Sequence, residues 1–85
     1  MDINEDICRA IKMAKANHWE RGIPVIRANV RLAINSLLSQ DKNLFQKSEE
    51  EILRILKLPR NKGIRKILKK TSTESFAFAV YTALN

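Results

Sequence analysis

Glycine, proline, cysteine and histidine are almost missing from this chain of 85 residues, which holds 2, 2, 1 and 1 of them. So few glycines and prolines suit long helices joined by short turns. Cys8 stands alone, so no disulfide can form within the chain, and a reducing cytoplasm is the expected compartment. The thiol reads as a small apolar filler rather than a nucleophile. One histidine and one cysteine, without ligand-spaced companions, cannot furnish a typical metal site. There is also no Gly-rich phosphate loop, nucleophile elbow or Ser/His/Asp constellation. An enzyme is therefore not expected, nor a cofactor, a metal or a small-molecule substrate. Long apolar runs are lacking too. The richest, Phe76 to Leu84, spans nine residues and is interrupted by Thr82, well short of the roughly 18 that suggest a transmembrane helix. The opening MDINED is acidic and has no apolar signal-peptide segment. A soluble, cytoplasmic protein is expected.

What the chain does have is charge, unevenly placed. It carries 16 Lys and Arg against 9 Asp and Glu, for a formal net charge of +7. The fourteen residues from Lys57 to Lys70 hold seven basic side chains (Lys57, Arg60, Lys62, Arg65, Lys66, Lys69 and Lys70) and no acidic one. The remaining 71 residues are balanced. Charge used only for solubility is better dispersed, because crowding like charges costs self-repulsion. Its concentration suggests a polyanionic partner, nucleic acid first.

With 45% hydrophobic and 29% charged residues, the chain is expected to form a single helical domain over residues 1–85. Asp2–Glu5, Ser48–Glu51 and Thr71–Glu74 each place a capping oxygen three residues before a glutamate, the spacing of a capping box. The first helix is expected from Ile3 to Glu20 on the stripe Ile3, Ile7, Ala10, Ile11, Ala14 and His18. Gly22 is placed to end it, and Pro24 to open a second helix running to Ser39. That second helix buries Ile26, Val30, Ala33, Ile34, Leu37 and Leu38, and sets Arg27 and Arg31 one turn apart on another face. After a connection over 40–47 that tucks in Leu44 and Phe45, a third helix runs from Glu49 to Lys57 and stops before Pro59. A fourth occupies Arg60 or Asn61 to Lys70, and a fifth Ser72 to Leu84. The fold class is all-α, a small bundle of four to five helices.

The fourth helix holds to the body through Ile64, Ile67 and Leu68. It turns Arg65 and Lys69 out in one row, and Lys62, Lys66 and Lys70 in a second. At about 16 Å long and 10–12 Å across, it suits a B-DNA major groove roughly 12 Å wide. The run from Glu51 to Leu68, with its Glu-Ile start, its Leu58-Pro59-Arg60 turn and its Ile64…Ile67-Leu68 spacing, resembles a helix-turn-helix DNA-binding unit. The resemblance implies that the second helix of the pair reads base edges at its start, here Arg60, Asn61 and Lys62. Arg65, Lys66 and Lys69 would then face bases or phosphates. Leu53 stands where the family prefers a small residue, and Lys57 where it prefers glycine. The span to Ile64 is one residue long, and Gly63 sits where the second helix should already be running.

The expected function is non-enzymatic nucleic-acid binding, DNA ahead of RNA, as a small transcription regulator. Its site residues would be Arg60, Asn61, Lys62, Arg65, Lys66, Lys69 and Lys70, supported by Arg27 and Arg31. The alternative is a helical-bundle interaction, inhibitor or immunity-type protein that docks an acidic partner surface. An ordinary solvated face accounts for the same charges. The fifth helix is apolar nearly all round (Phe76, Phe78, Val80, Tyr81, Leu84). It suits either a homodimer through 72–84 or a central position within the bundle. His18, Trp19, Glu20 and Arg21 form an aromatic–basic cluster. There Trp19 is expected to cap the core and His18 or Arg21 to meet the end of the first helix.

Overall fold

The computed structural model describes residues 1–17, 19 and 22–84, and within them the chain is all helical, with no strand. The first helix, α1 (Ile3–Ala16), starts where the capping chemistry placed it. The Asp2 carboxylate accepts from the N–H groups of Asn4 (2.9 Å) and Glu5 (3.4 Å). The reciprocal bond comes from Asp6 rather than Glu5: the Asp2 N–H donates to Asp6 Oδ2 at 3.1 Å. Ile7, Ala10, Ile11 and Ala14 are buried along one stripe.

The helix stops at Ala16, four residues before the expected end, because Asn17 turns left-handed (φ 50°) and donates its N–H to the Ala14 carbonyl. Asparagine tolerates this geometry better than most residues. Its side chain is held as well, since Asn17 Oδ1 accepts from Trp19 Nε1 at 2.8 Å. Gly22 (φ 86°) shapes a later turn instead of ending the helix. The expectations for His18, Glu20 and Arg21 lie outside the described residues.

Pro24 does not open the second helix. Residues Pro24 to Arg27 lie outside any helix, and α2 runs over Ala28–Gln40 with an extended Arg27 at its cap position. Two contacts hold the segment before it: Ile26 packs against the core, and Ser75 Oγ donates to the Val25 carbonyl at 3.0 Å. Val30, Ala33, Ile34 and Leu37 form the buried face of α2. A short 3-10 turn at Leu44–Gln46 then drops Leu44 and Phe45 into the core, both fully buried. Lys47 bridges back to Asp41 across this turn. That ammonium, with the Asn43 N–H, holds the Asp41 carboxyl below the usual carboxylate range.

The third helix, α3 (Glu49–Leu56), is capped by Ser48, whose hydroxyl accepts from the Glu51 N–H at 3.3 Å. A 3-10 turn at Pro59–Asn61 leads into α4 (Lys62–Lys69), and α5 spans Thr73–Leu84. The third cap is shifted by one residue from its expected place. Ser72, not Thr71, accepts from the N–H three residues on (Ser75, 3.1 Å). The Thr71 hydroxyl instead donates to the Ile67 carbonyl at 2.7 Å and finishes α4.

Within the chain α5 packs centrally. Phe76, Ala77, Ala79 and Val80 are buried, and α5 makes its main contacts with α1 and α2. Phe45 meets Phe76 edge-on (centroids 6.2 Å apart), while Trp19 sets its edge against Phe78 (5.1 Å) and Tyr81 (6.0 Å). Trp19 thus caps the core. Among the described residues of α5, Ala83 and Leu84 are exposed and Phe78 and Tyr81 are half-buried. No described helix is long and apolar enough to cross a membrane.

Candidate nucleic-acid interface

The α3–turn–α4 unit is organised from inside by Asn61. Its side chain is 1% exposed, although the sequence placed it at a base-reading position. Asn61 Nδ2 donates to the Ile55 carbonyl (2.7 Å) and to Gln40 Oε1 (3.0 Å), and Asn61 Oδ1 accepts from Gln40 Nε2 (2.7 Å). Two amides are therefore paired face to face across α2 and the turn. Gln40 Oε1 also accepts from Arg60 Nε at 2.9 Å. Polar groups taken out of water must find partners, and Asn61 finds all of its partners within the protein. The extra turn residue that the helix-turn-helix pattern does not accommodate is absorbed by the 3-10 turn. Helix α4 begins at Lys62, and Gly63 is its second residue, with open space where a Cβ would stand.

Arg65 is also drawn inward. It is half-buried, and one Nη donates to the carbonyls of Leu56 (2.6 Å) and Leu58 (2.8 Å) at the end of α3. The Leu58 carbonyl also accepts from the Asn61 N–H (2.9 Å), so the cation is a second partner there, and its charge complements the negative end of the helix dipole. Arg65→Met keeps much of the stem and removes the fork. It is expected to cost about 1.5–3 kcal/mol in urea denaturation, the range for hydrogen bonds to a charged group. Unchanged stability would show that the guanidinium does not hold these carbonyls.

The other basic residues of α4 are exposed. At 3.6 residues per turn, Lys62, Lys66, Lys69 and Lys70 fall within about 100° of arc, opposite the stripe of Ile64 and Leu68. One flank of this face, Lys66 and Lys70, opens into a groove of about 580 Å³ between α4 and the start of α2. Arg27 and Asn29 stand on its α2 side, Ser72 and Ser75 on its α5 side, and Val25 also lines it; among the described residues no acidic one does. Helix α2 begins here without a side-chain cap. The opposite flank, Arg65 and Lys69, borders the chain start, including Asp2. There the Met1 nitrogen donates to the carbonyls of Lys69 (2.9 Å) and Thr71 (2.7 Å).

Arg27 and Arg31, one turn apart and both exposed, line different hollows. Arg27 joins Lys66 and Lys70, whereas Arg31 lines a separate hollow of about 170 Å³ with Asn35, Ala79 and Thr82. Of the expected site residues, the fold therefore gathers Arg27, Lys66 and Lys70 in one groove and keeps Lys62 and Lys69 exposed beside it. It spends Asn61 and Arg65 in the interior, ties Arg60 to Gln40, and sends Arg31 elsewhere. Sequence reading missed Asn29, Ser72 and Ser75. Asn29 reaches Lys66 and Lys70 through packing between segments some forty residues apart, for which the linear sequence has no signal, whereas Ser72 and Ser75 follow α4 directly and join the groove where the chain turns into α5.

The remaining chemistry-bearing side chains assemble nothing comparable. Cys8 is half-buried beside Lys12, Lys15, Lys47 and Glu49, around a cavity of about 180 Å³. Glu49, Glu50 and Glu51 occupy the first turn of α3, where they complement its dipole. Among the described residues, no group of three or more His, Cys, Asp or Glu side chains is placed to hold a metal ion. Comparison with protein families, curated proteins and solved structures finds no match for this chain.

Proposed function

We propose that this protein binds double-stranded DNA through the phosphate backbone, as a non-enzymatic, helix-turn-helix-like module whose docking element is α4. The observation that carries the reading is the exposed cationic face of Lys62, Lys66, Lys69 and Lys70, one flank of which joins Arg27 in a groove that no described acidic side chain lines. Lysine ammonium groups on flexible stems suit phosphates, which are point-like anions without sequence information. Base reading from the start of α4 has little support, because the Asn61 amide is committed inside the protein and Arg60 Nε to Gln40. The favoured mode is therefore positioning on the backbone, with weak discrimination between sequences.

Five cations facing five phosphates would release counterions on binding. The association constant for a labelled duplex of about 20 bp should then fall with salt at a log–log slope near −4.5. Fluorescence anisotropy between 50 and 200 mM KCl measures it. A complex indifferent to salt, or none at the lowest concentration, would sink the proposal.

A further inference from the structure

We infer that the Ile23–Pro24–Val25 segment is an apolar wedge that enters the bound duplex at a base step and kinks it, an inference that rests on the backbone-binding reading above. Val25 is 83% exposed and Ile23 is 73% exposed, the highest values among the large apolar side chains described. Exposed aliphatic groups on a loose loop would carry little meaning, but this loop is fastened. Ile26 packs on the core, Pro24 is half-buried, and the Val25 carbonyl is bonded to Ser75. Pro24 and Ile26 are thus held toward the body while Ile23 and Val25 stand out in solvent. The tip therefore costs little ordering entropy when it meets a partner.

The surroundings of this tip identify its occupant. Val25 lines the same groove as Arg27, Lys66 and Lys70, so whatever covers it must also satisfy three cations. Aliphatic or proline side chains flanked by cations are the combination that minor-groove proteins insert between base pairs. They offset the unstacking cost with added backbone contacts. An anionic bilayer presents similar charge, but the aromatic side chain that would anchor in it, Trp19, is turned inward onto Phe78 and Tyr81. Flexible pyrimidine–purine steps such as TA kink at least cost, so they are the preferred target.

The test is end-to-end energy transfer on a doubly labelled duplex of about 20 bp with a central TA step, using the parent chain, Ile23→Ser/Val25→Ser and Val25→Phe. The parent is expected to bring the duplex ends closer. The double serine variant should bind about tenfold or more weakly, with the same salt slope and no bend. Val25→Phe should retain or enlarge the bend. Salt-dependent binding without any bend by the parent overturns the wedge and leaves backbone binding intact. A bend unchanged in the serine variant overturns it as well. Absence of duplex binding removes the underlying reading and the wedge together. Tighter retention by phosphatidylserine vesicles than by duplex at equal salt, lost in the serine variant, overturns the wedge in favour of a bilayer.

Discussion

Asn61→Ala is expected to melt about 12–24 °C below the parent chain, corresponding to about 3 kcal/mol for a domain of this size. Three hydrogen bonds disappear, two with Gln40 and one to the Ile55 carbonyl. Each contributes about 1 kcal/mol net, and the Gln40 amide is left to turn partly toward solvent. The Ile55 carbonyl at the end of α3 keeps the Leu58 N–H (3.2 Å) but loses its shorter bond to the Asn61 amide. Asn61→Asp should do no better, since a carboxylate offers the Ile55 carbonyl repulsion where the amide offered a proton. Thermal melts followed by circular dichroism measure both. Below its transition the alanine variant should bind DNA with the parental salt slope. A variant that melts with the parent but binds poorly would put Asn61 on the ligand, as the helix-turn-helix scheme has it, and would contradict the buried amide pair.

The reversal Arg27→Glu/Lys66→Glu/Lys70→Glu should act the other way, leaving the fold intact and removing binding. All three side chains are exposed, so stability should shift little. Like charges pressed together across an interface cost several kcal/mol, and each 1.4 kcal/mol is about tenfold in affinity. Duplex binding at about 100 mM salt should therefore weaken at least 100-fold. The matched control is Lys12→Glu/Lys15→Glu/Lys42→Glu, three exposed lysines that do not line the groove, with the same change in net charge. Its loss should be far smaller. If both variants lose binding equally, the DNA responds to overall charge and the groove has no special part. If the groove variant instead loses an acidic protein partner while duplex binding persists, the interaction-protein alternative takes its place.

These two predictions concern neighbouring residues that look alike in one dimension. Arg65 and Lys66 are adjacent cations on one amphipathic helix, and both read as outward-facing. In the fold Arg65 turns back to the carbonyls of Leu56 and Leu58, whereas Lys66 faces the groove. Asn61 shows the same ambiguity. An asparagine at the start of a helix reads as a polar surface group until Gln40, 21 positions away, is found opposite it. The helices themselves were more legible. The buried α1 stripe from Ile7 to Ala14 and the cap oxygens of Asp2 and Ser48 depend on residues within one or two turns, and these formed where their spacing implied, although Asp6 rather than Glu5 returns the bond at Asp2. Errors collected at boundaries where two neighbours could serve. Asn17 ended α1 ahead of Gly22, and Ser72 capped α5 in place of Thr71.

The scarcity of glycine and proline, the apolar spacing and the crowding of cations into 57–70 were enough to determine an all-helical chain with a basic fourth helix. Each is a local property, written within the few residues that a helical turn brings together. Which cations meet a partner was decided only by tertiary packing. Docking the start of α2 beside α4 and α5 placed Arg27 with Lys66 and Lys70 and raised Val25 on the same groove, while the close turn from α3 into α4 drew Arg65 inward. Long-range packing selects one orientation for each side chain from several that the local sequence leaves equal, because burial and hydrogen-bond satisfaction depend on residues far away in the chain.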